Sequence, residues 1–365
     1  MKAIIITCFE SNEERVSFVL ETLNNMMFDT KVITTDFSHI KKQKRTNVPE
    51  GYITIETKPY SKNLSIGRMK SHARFAKDAF KIIEDEMPDL VWLMAPANSL
   101  IKQANIYKKK YPVTKIIVDI IDIWPESLPL GISTSIFPLN IWKNIRKKHI
   151  KCADSLVTEC DFYHDILKQE YKGVINTIHW ARDSKANKTK TSLPENKLSL
   201  CYIGSINNII STQLVSNIID RCDMPVVLHI IGAGENRYNF VIKNSQICEV
   251  IYYGEVRDES EKSKIFAKCH AGINIYKNNL YIGLTVKSID YFEHGLPIIN
   301  NIKGDTWKII EENNAGINID SHSKLNGQDI INMRKNNKNI YKIFNENFTK
   351  ESFIKKCSKV IESVM

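Results

Sequence analysis

The residues with the clearest potential for chemistry lie at the start of a predicted helix near position 285. Apolar side chains recur at helical spacing from Leu284 to Phe292, and Thr285 is placed to cap the helix N-terminus. The free backbone N–H groups of that terminus and the ammonium of Lys287 together favour a diphosphate. Asp290 lies one turn further on, roughly on the same side, where a carboxylate can accept hydrogen bonds from ribose hydroxyls.

The chain that follows this helix indicates a buried strand. Gly295 is placed to end the helix, and Leu296–Ile299 is a short apolar run of the kind found in parallel sheets. The alternative interpretation is an amphipathic helix beside a core strand, with Lys287 and Asp290 simply solvated, because one helix start with a lysine is a weak motif.

The pattern Lys287-x-x-Asp290-Tyr291 followed by Gly295-x-Pro297 resembles the donor site of nucleotide-sugar glycosyltransferases of the GT-B architecture. It is most similar to the retaining family-4 type, which acts in the synthesis of capsule, O-antigen and other bacterial glycans. In that family, these positions hold the nucleotide diphosphate and the ribose. The resemblance implies a donor-binding segment that comprises Gly283, Leu284, Thr285, Val286, Lys287 and Asp290.

Two further segments resemble parts of the same donor site. Gly232-Ala-Gly234 lacks the third glycine of a dinucleotide fingerprint, since Arg237 stands in its place, but it is similar to a turn at the edge of the family's nucleotide-sugar site. The segment Glu255-Val256-Arg257 resembles the strand end that faces the nucleobase, where backbone groups near Val256 would bind uracil. An ordinary exit from a strand into a loop is the alternative for the second segment.

The sequence departs from the family pattern at two places. The first acidic residue of the family's Glu-x7-Glu pair corresponds to Ile282, so the contacts to the sugar hydroxyls must come from elsewhere. Gly204 is followed by Ser205 and by no basic residue, where the family usually places an Arg and a Lys. We therefore expect Lys287 and the helix dipole to carry most of the diphosphate charge, with Gly204 and Ser205 beside it.

Asp122-Ile-Trp124-Pro-Glu126 is the most distinctive motif of the first half of the chain. It follows a predicted strand, so that Asp122 or Glu126 could take a proton from an acceptor hydroxyl or orient it. Related bacterial glycan transferases have a similar stretch, and both residues are candidates for a catalytic role. The alternative is a capped turn, because Asp is common in turns. Asp119, two apolar residues upstream of Asp122, could instead be buried and hydrogen-bonded.

Two basic helices in the first half are candidate binding surfaces. Arg68 and His72 could bind an acceptor phosphate, and a solvated helix face is the favoured alternative. The segment 142–150 is basic on one side and apolar on the other, which suits an anionic membrane surface. A solvated helix that packs through its apolar side is an equal alternative.

The composition excludes several classes of protein. The chain has 365 residues, of which 43% are hydrophobic, and a net charge of +10. No nucleic-acid-binding signature accompanies this charge, so we expect no nucleic acid partner. The eight cysteines are scattered, without a pattern typical of disulfides or zinc, and no metal cofactor is expected. No signal peptide or membrane-spanning run is recognisable, which favours a cytoplasmic protein, peripheral at the inner face of the plasma membrane if the basic helix binds lipid.

Short apolar runs alternate with helical patterns along the whole chain, which predicts parallel α/β sheets. The predicted fold is two doubly wound Rossmann-like domains that face each other across a cleft, as in GT-B. We expect an N-terminal acceptor-binding domain (1–181), a polar linker (182–197), a C-terminal nucleotide-sugar-binding domain (198–338) and a C-terminal helix (339–365). The resemblance alone implies that this last helix packs back on the first domain.

The resemblance implies transfer of a sugar from a UDP-sugar to a hydroxyl of a glycan acceptor. A lipid-linked oligosaccharide in capsule or lipopolysaccharide O-antigen synthesis is the expected acceptor. Two alternatives remain open at this point: a UDP-sugar epimerase of the same fold, and a non-catalytic subunit that binds nucleotide sugars.

Overall fold

The structure is a computed structural model that describes residues 1–128, 139–184, 192–278 and 280–365. Its strands, in chain order, are β1 (Lys2–Ile6), β2 (Asp29–Thr35), β3 (Phe37–Ser38), β4 (Gln43–Lys44), β5 (Ile53–Ile55), β6 (Leu90–Ala95), β7 (Lys115–Ile120), β8 (Ser155–Thr158), β9 (Ile175–Thr177), β10 (Leu198–Ile203), β11 (Val226–Ile231), β12 (Glu249–Gly254), β13 (Ala271–Asn274), β14 (Ile298–Asn300) and β15 (Gly316–Asn318). Its α-helices are α1 (Glu13–Asn25), α2 (Ile66–Glu86), α3 (Asn98–Lys110), α4 (Leu139–His149), α5 (His164–Glu170), α6 (Thr212–Asp220), α7 (Arg237–Ser245), α8 (Glu259–Phe266), α9 (Val286–Glu293), α10 (Asp305–Asn313), α11 (Gly327–Lys335), α12 (Lys338–Asn347) and α13 (Lys350–Val364).

The chain divides into two compact units. The first contains Met1–Trp180 and Lys350–Met365, and the second contains Ala181–Thr349. The segment predicted as one C-terminal helix is two helices, because α12 ends at Asn347 and α13 begins at Lys350. Of these, α12 belongs to the second unit, whereas α13 belongs to the first and packs on α1, with the rings of Phe18 and Phe353 5.5 Å apart. Within the predicted linker, 185–191 lies outside the described residues.

The first unit is built on a parallel sheet with the strand order β5-β2-β1-β6-β7-β8-β9. The central strand β6 is buried along its whole length, as expected for a strand covered on both faces. Asp119 of β7 is fully buried and accepts hydrogen bonds from Arg15 at 2.8 and 2.9 Å and from the Trp92 indole at 3.1 Å. This is the buried, structural role that the sequence left open for Asp119.

The second unit contains a parallel sheet with the order β12-β11-β10-β13-β14-β15. Its core combines the inward side chains of β10, β11 and β13 with apolar residues of α6 and α11. Asparagines of three neighbouring strands bond to one another: the buried Asn274 amide donates to Asn300 at 2.9 Å, and the buried Asn300 amide donates to the partly buried Asn318 at 2.8 Å. These bonds satisfy polar groups that would otherwise be costly to bury.

Both sheets have the doubly wound topology that the sequence predicts. In each sheet, the chain adds its first strands outward on one side, returns to the starting strand, and adds the later strands on the other side. This reversal of strand order lies between β1 and β6 in the first sheet and between β10 and β13 in the second. The predicted fold class of two doubly wound α/β domains is therefore confirmed. Open parallel sheets bind ligands at the carboxyl ends of the strands beside this reversal, which directs attention to the loops after β10 and β13.

Candidate functional site

The start of α9 is fixed beside the reversal of the second sheet. Thr285 caps the helix, because its hydroxyl oxygen accepts from the Ser288 backbone N–H at 3.3 Å. The same hydroxyl donates to Asn274 Oδ1 at 2.9 Å, and Asn274 is the last residue of β13. The helix N-terminus is thus joined directly to the carboxyl end of a central strand, where its partial positive charge favours an anion.

Lys287, in the first turn of α9, is buried between two aromatic rings. Its ammonium nitrogen lies 4.4 Å from the centre of the Tyr202 ring and 4.7 Å from that of Tyr276. No described residue offers this nitrogen a hydrogen-bond partner, and burial lowers the pKa of Lys287 to about 7, against the opposing effect of Asp290. A Cβ added to Gly204 would lie 3.7 Å from the nitrogen, so the ammonium sits beside the loop that leaves β10.

Asp290, predicted to bind ribose, is paired within the second unit. Its Oδ1 accepts from Arg182 Nη2 at 2.8 Å and from Arg182 Nε at 3.2 Å, and both side chains remain partly exposed. The sequence placed Arg182 at the start of a linker and gave no sign of this partner, which is 108 positions away. The contact of Asp290 with ribose stays a prediction, with Arg182 now placed to orient the carboxylate.

Gly232 and Gly234 have a structural requirement of their own. Both have positive φ angles, +141° and +152°, and a Cβ at either position would lie 2.0 or 2.3 Å from a carbonyl oxygen of the loop after β10. The two loops are joined there by a hydrogen bond of 2.8 Å from the Ile206 N–H to the Ala233 carbonyl. Close backbone contact therefore explains these glycines, and their contact with a nucleotide stays a prediction.

The remaining predicted donor residues lie around the carboxyl edge of the second sheet. Gly283 accepts from the Thr306 N–H at 3.2 Å, which holds the loop before α9, and Leu284 is buried. Val286 is half-exposed and Ser205 is exposed. At the end of β12, Glu255 pairs with Arg257 at 3.1 Å, and both side chains are exposed beside Val256.

In the first unit, the two candidate catalytic carboxylates have very different surroundings. Glu126 receives two hydrogen bonds of 2.9 Å from Arg146, whose guanidinium also binds Glu170. Arg146 is the chief partner that holds the pKa of Glu126 below its usual value, against burial. Glu126 is thus part of a buried ion network, an arrangement that serves structure better than proton transfer.

Asp122 has the surroundings of a reactive carboxyl. Its Oδ2 accepts from the Trp124 indole N–H at 2.6 Å. Burial raises the pKa of Asp122, while the hydrogen bond from Trp124 and the charge of Arg68 oppose that rise. A carboxyl with a raised pKa at the carboxyl end of a parallel sheet is a candidate for proton transfer.

Glu159 is a candidate that the sequence analysis missed. It directly follows β8, the strand next to β7, and it accepts hydrogen bonds from the Tyr163 hydroxyl at 3.0 Å and from the Trp180 indole. Burial, and then the charge of Asp122, raise its pKa to about 8. The sequence could have indicated Glu159, because it directly follows a predicted strand, much as Asp122 follows the strand that became β7.

Arg68 and His72 are buried in an aromatic cluster, so the alternative of a solvated helix face is wrong. The Arg68 guanidinium carbon lies 3.8 Å from the centre of the Trp124 ring, and the His72 ring stacks on that indole at 6.3 Å. Nε and Nη2 of Arg68 and Nε2 of His72 lack hydrogen-bond partners among the described residues. Burial, reinforced by the charge of Arg68, lowers the pKa of His72 well below its usual value and keeps the imidazole neutral.

The predicted basic helix is α4, and it packs through Trp142 and Arg146, while Lys147 and Lys148 are exposed. None of the helices in the described ranges is long and apolar enough to span a membrane. Likewise, those ranges contain no group of three or more His, Cys, Asp or Glu side chains that could hold a metal ion.

Solved structures resemble this chain over its whole length. Sucrose-phosphate synthase from Thermosynechococcus elongatus matches with a TM-score of 0.72 and 10% identity, over 100% of this chain and 99% of that one. The lipopolysaccharide outer core galactosyltransferase WaaB matches with a TM-score of 0.64 and 16% identity, and Anabaena HepE in complex with UDP with 0.66 and 11%, each over 100% of both chains. The chain has the GT-B fold. Identities this low establish the fold alone.

No protein-family model matches the chain, and no curated protein matches its sequence. Within the GT-B fold, Lys287, Thr285 and Gly204 come together at the reversal of the second sheet. The retaining family-4 mechanism stays a prediction that rests on the sequence pattern.

Proposed function

We propose that the protein is a glycosyltransferase that moves a sugar from a UDP-sugar to a hydroxyl group of a glycan acceptor. The observation that carries this proposal is the Lys287 ammonium, which is buried, without a hydrogen-bond partner in the described chain, and beside Gly204 at the reversal of the second sheet. Burying a cation without a counter-ion is unfavourable, and a diphosphate would supply the missing anion. The GT-B fold supports a nucleotide sugar as the source of that diphosphate.

Uridine is the base that we propose for the donor. Among the structural neighbours, Anabaena HepE was solved with UDP and with UDP-glucose. In this chain, the backbone near Val256, at the end of β12, would bind the base, and the Asp290 carboxylate would accept from the ribose hydroxyls. The exposed Glu255–Arg257 pair lies next to the proposed base site.

In the proposed reaction, the bond between the anomeric carbon and the UDP oxygen breaks, and its electron pair leaves with UDP. Lys287 and the N-terminus of α9 would stabilise the charge that develops on the diphosphate. The acceptor oxygen forms a bond to the anomeric carbon, and its proton passes to Asp122. Retention of the anomeric configuration is inferred from the resemblance to the family-4 pattern.

Asp122 is the better candidate for the proton acceptor, because Glu126 is held on both oxygens by Arg146. We further propose a lipid-linked acceptor in capsule or O-antigen synthesis at the inner face of the plasma membrane. Two features support this context: the exposed lysines of α4, and the similarity to WaaB, which is described as a lipopolysaccharide outer core galactosyltransferase.

The proposal is tested first by thermal stabilisation and then by turnover. UDP-hexoses and UDP-N-acetylhexosamines are screened for a rise in Tm, because a ligand that binds the native state stabilises it by RT ln(1 + [L]/Kd). The stabilising donor is then incubated with and without lipid-linked oligosaccharides extracted from bacterial membranes, and UDP release is measured. We expect release that depends on the acceptor and is lost in Asp122→Asn.

Other outcomes would replace the proposal. Interconversion of free UDP-sugars would identify an epimerase. Stabilisation by a UDP-sugar with no UDP release would favour a non-catalytic binding subunit, an outcome that the missing acidic residue at Ile282 keeps open. Absence of stabilisation by UDP and by every UDP-sugar would exclude the donor site itself.

A further inference from the structure

A pocket of about 350 Å³ lies in the first unit, among residues of α2, α3 and α4. Its walls are mainly apolar and include Met69, Ala73, Trp142 and Ile145, together with Trp124 of the loop after β7. A volume of this size, with aromatic and aliphatic walls, is typical of sites that bind small apolar ligands.

The pocket adjoins the polar cluster that contains Asp122. Trp124 lines the pocket and donates its indole N–H to Asp122 at 2.6 Å. His72, which also lines the pocket, has a buried Nε2 atom without a hydrogen-bond partner within the described chain. An apolar chain in the pocket would therefore place the group to which it is attached next to the proposed proton acceptor.

Cations surround the pocket. Lys70 lines it and is exposed, whereas Lys143 on α4 already pairs with Glu126 at 3.4 Å. Arg68 lies on the face of Trp124, with two guanidinium nitrogens that lack hydrogen-bond partners in the part of the chain that the structure describes. Nearby, Glu126 and Glu170 are balanced by Arg146 and Lys143, which leaves Lys70 and Arg68 as the excess cations. This excess of positive charge complements an anionic head group.

Apolar side chains continue from the pocket to the surface. Ile66, another lining residue, is 60% exposed, and Ile141 is 36% exposed. Exposed isoleucines beside an apolar pocket extend the surface available to an apolar chain, because each would lose contact with water when the chain binds.

We propose that this pocket binds the apolar chain of an anionic, amphiphilic acceptor and so positions the acceptor's head group at Trp124 and Asp122. The inference rests on the proposed function and specifies its acceptor: a molecule with a hydrocarbon chain and a phosphate beside the sugar hydroxyl that reacts. The occupant is the chain of the acceptor itself, not a lipid of the surrounding membrane.

The test uses decyl phosphate as the probe and the full chain as the protein. Trp124 and Trp142 line the pocket, so binding should change the intrinsic tryptophan fluorescence. We expect a saturable change with decyl phosphate below its micelle concentration and none with inorganic phosphate. Ala73→Phe fills the pocket from an exposed position and should weaken binding at least tenfold. Lys77→Phe, one turn further along α2 and outside the pocket lining, is the matched control and should bind as the wild type does.

Several results would overturn the inference. The first is the absence of saturable binding of decyl phosphate, and the second is equal binding of it by Ala73→Phe and the wild type. The third is that uncharged decyl maltoside binds as tightly as decyl phosphate, which would show that the pocket does not require an anionic head group. Binding to phosphatidylglycerol vesicles that is lost in Ala73→Phe, without binding of decyl phosphate, would make the pocket a membrane contact instead. Stabilisation by UDP is measured in the same preparation: if it persists while decyl phosphate fails to bind, the acceptor inference fails and the proposed donor site stands.

Discussion

The ammonium nitrogen of Lys287 lies 4.4 Å from the centre of the Tyr202 ring, with no hydrogen-bond partner among the described residues. The face of an aromatic ring attracts a cation, whereas burial penalises it. The balance lowers the pKa of Lys287 to about 7, with burial as the dominant cause. At neutral pH Lys287 is therefore only partly protonated, and its protonation should be coupled to binding of the proposed diphosphate.

We expect UDP binding to take up a proton at pH 8. The free protein holds Lys287 mostly neutral at that pH, and a bound diphosphate would favour the ammonium and raise the pKa. The affinity for UDP should fall as the pH rises above 7, because the free protein loses the ammonium there. Calorimetry in two buffers with different ionisation enthalpies measures the uptake. Lys287→Met should show none, and zero uptake by the wild type at pH 8 would contradict the prediction.

Lys287→Met should stabilise the free protein while it weakens UDP binding. Methionine fills similar space without a buried, unpartnered polar group, whose cost is about 1–3 kcal/mol. The gain should appear as a higher urea midpoint at pH 7, together with a loss of UDP affinity of at least tenfold. Lys308→Met removes an exposed lysine of α10 and is the control for charge, with both properties unchanged. A destabilised Lys287→Met variant with normal UDP affinity would show that the lysine is structural.

Asp290→Asn should weaken UDP binding through the ribose. The Arg182 guanidinium already holds Oδ1 at 2.8 Å, so the fold near the helix should tolerate the amide, at a cost below about 1 kcal/mol for a partly exposed pair. A hydrogen bond from ribose to a charged acceptor contributes about 1.5–3 kcal/mol, so we expect a loss of affinity of about tenfold or more. The comparison ligand is 2′,3′-dideoxy-UDP, which should lose less affinity than UDP, since for it only the effect of Asp290 on the Lys287 pKa remains. Equal losses for the two ligands would exclude contact with ribose.

The central strands were predictable because each is a short apolar run with a buried environment. Strands β1, β6, β7 and β8 of the first sheet coincide with such runs, and so does β14 of the second. Strand β15, Gly316–Asn318, was missed because three partly buried residues carry no pattern. Helix α3 was missed although its buried Leu100, Ile101, Ala104 and Tyr107 follow helical spacing, because polar and basic residues separate them.

The candidate site was predictable where its chemistry is local in sequence. Thr285 and Lys287 belong to one helix start, and both lie where that pattern places them. The Arg182–Asp290 pair and the enclosure of Lys287 by Tyr202 and Tyr276 join distant segments, which spacing alone does not indicate. For the same reason, the amphipathic pattern of α2 could not show that Arg68 and His72 are covered by Trp124.

Asp122→Asn and Glu126→Gln should separate catalysis from stability. Loss of the proposed proton acceptor should lower kcat by about a hundredfold or more, with little change in the urea midpoint. Glu126→Gln should instead destabilise the protein by about 1–3 kcal/mol, because Arg146 loses one of its two carboxylate partners. The measurements are kcat at saturating donor and the urea midpoint, each for both variants. A fully active Asp122→Asn protein would assign the proton to another group, such as the departing diphosphate.

Glu159→Gln should change how stability depends on pH. The pKa of Glu159 is raised from its usual 4.5 to about 8, chiefly by burial and then by Asp122. A carboxyl with a raised folded-state pKa contributes stability that is complete below its unfolded pKa and is lost as the pH rises through about 8. Glu159 should therefore lower the Tm of the wild type between pH 5 and pH 8, against the rise that the buried, neutral His72 contributes over part of that range.

The glutamine resembles the protonated carboxyl in shape and in hydrogen bonding, with its oxygen able to accept from the Trp180 indole and its amide facing the Tyr163 hydroxyl. Glu159→Gln should consequently have a Tm near that of the wild type at pH 5 and a higher Tm than the wild type at pH 8. Glu362→Gln, on the exposed side of α13, should keep the wild-type slope. If Glu159→Gln and the wild type lose stability in parallel from pH 5 to pH 8, the Glu159 carboxyl is already ionised at neutral pH, and it then adds a second negative charge beside Asp122.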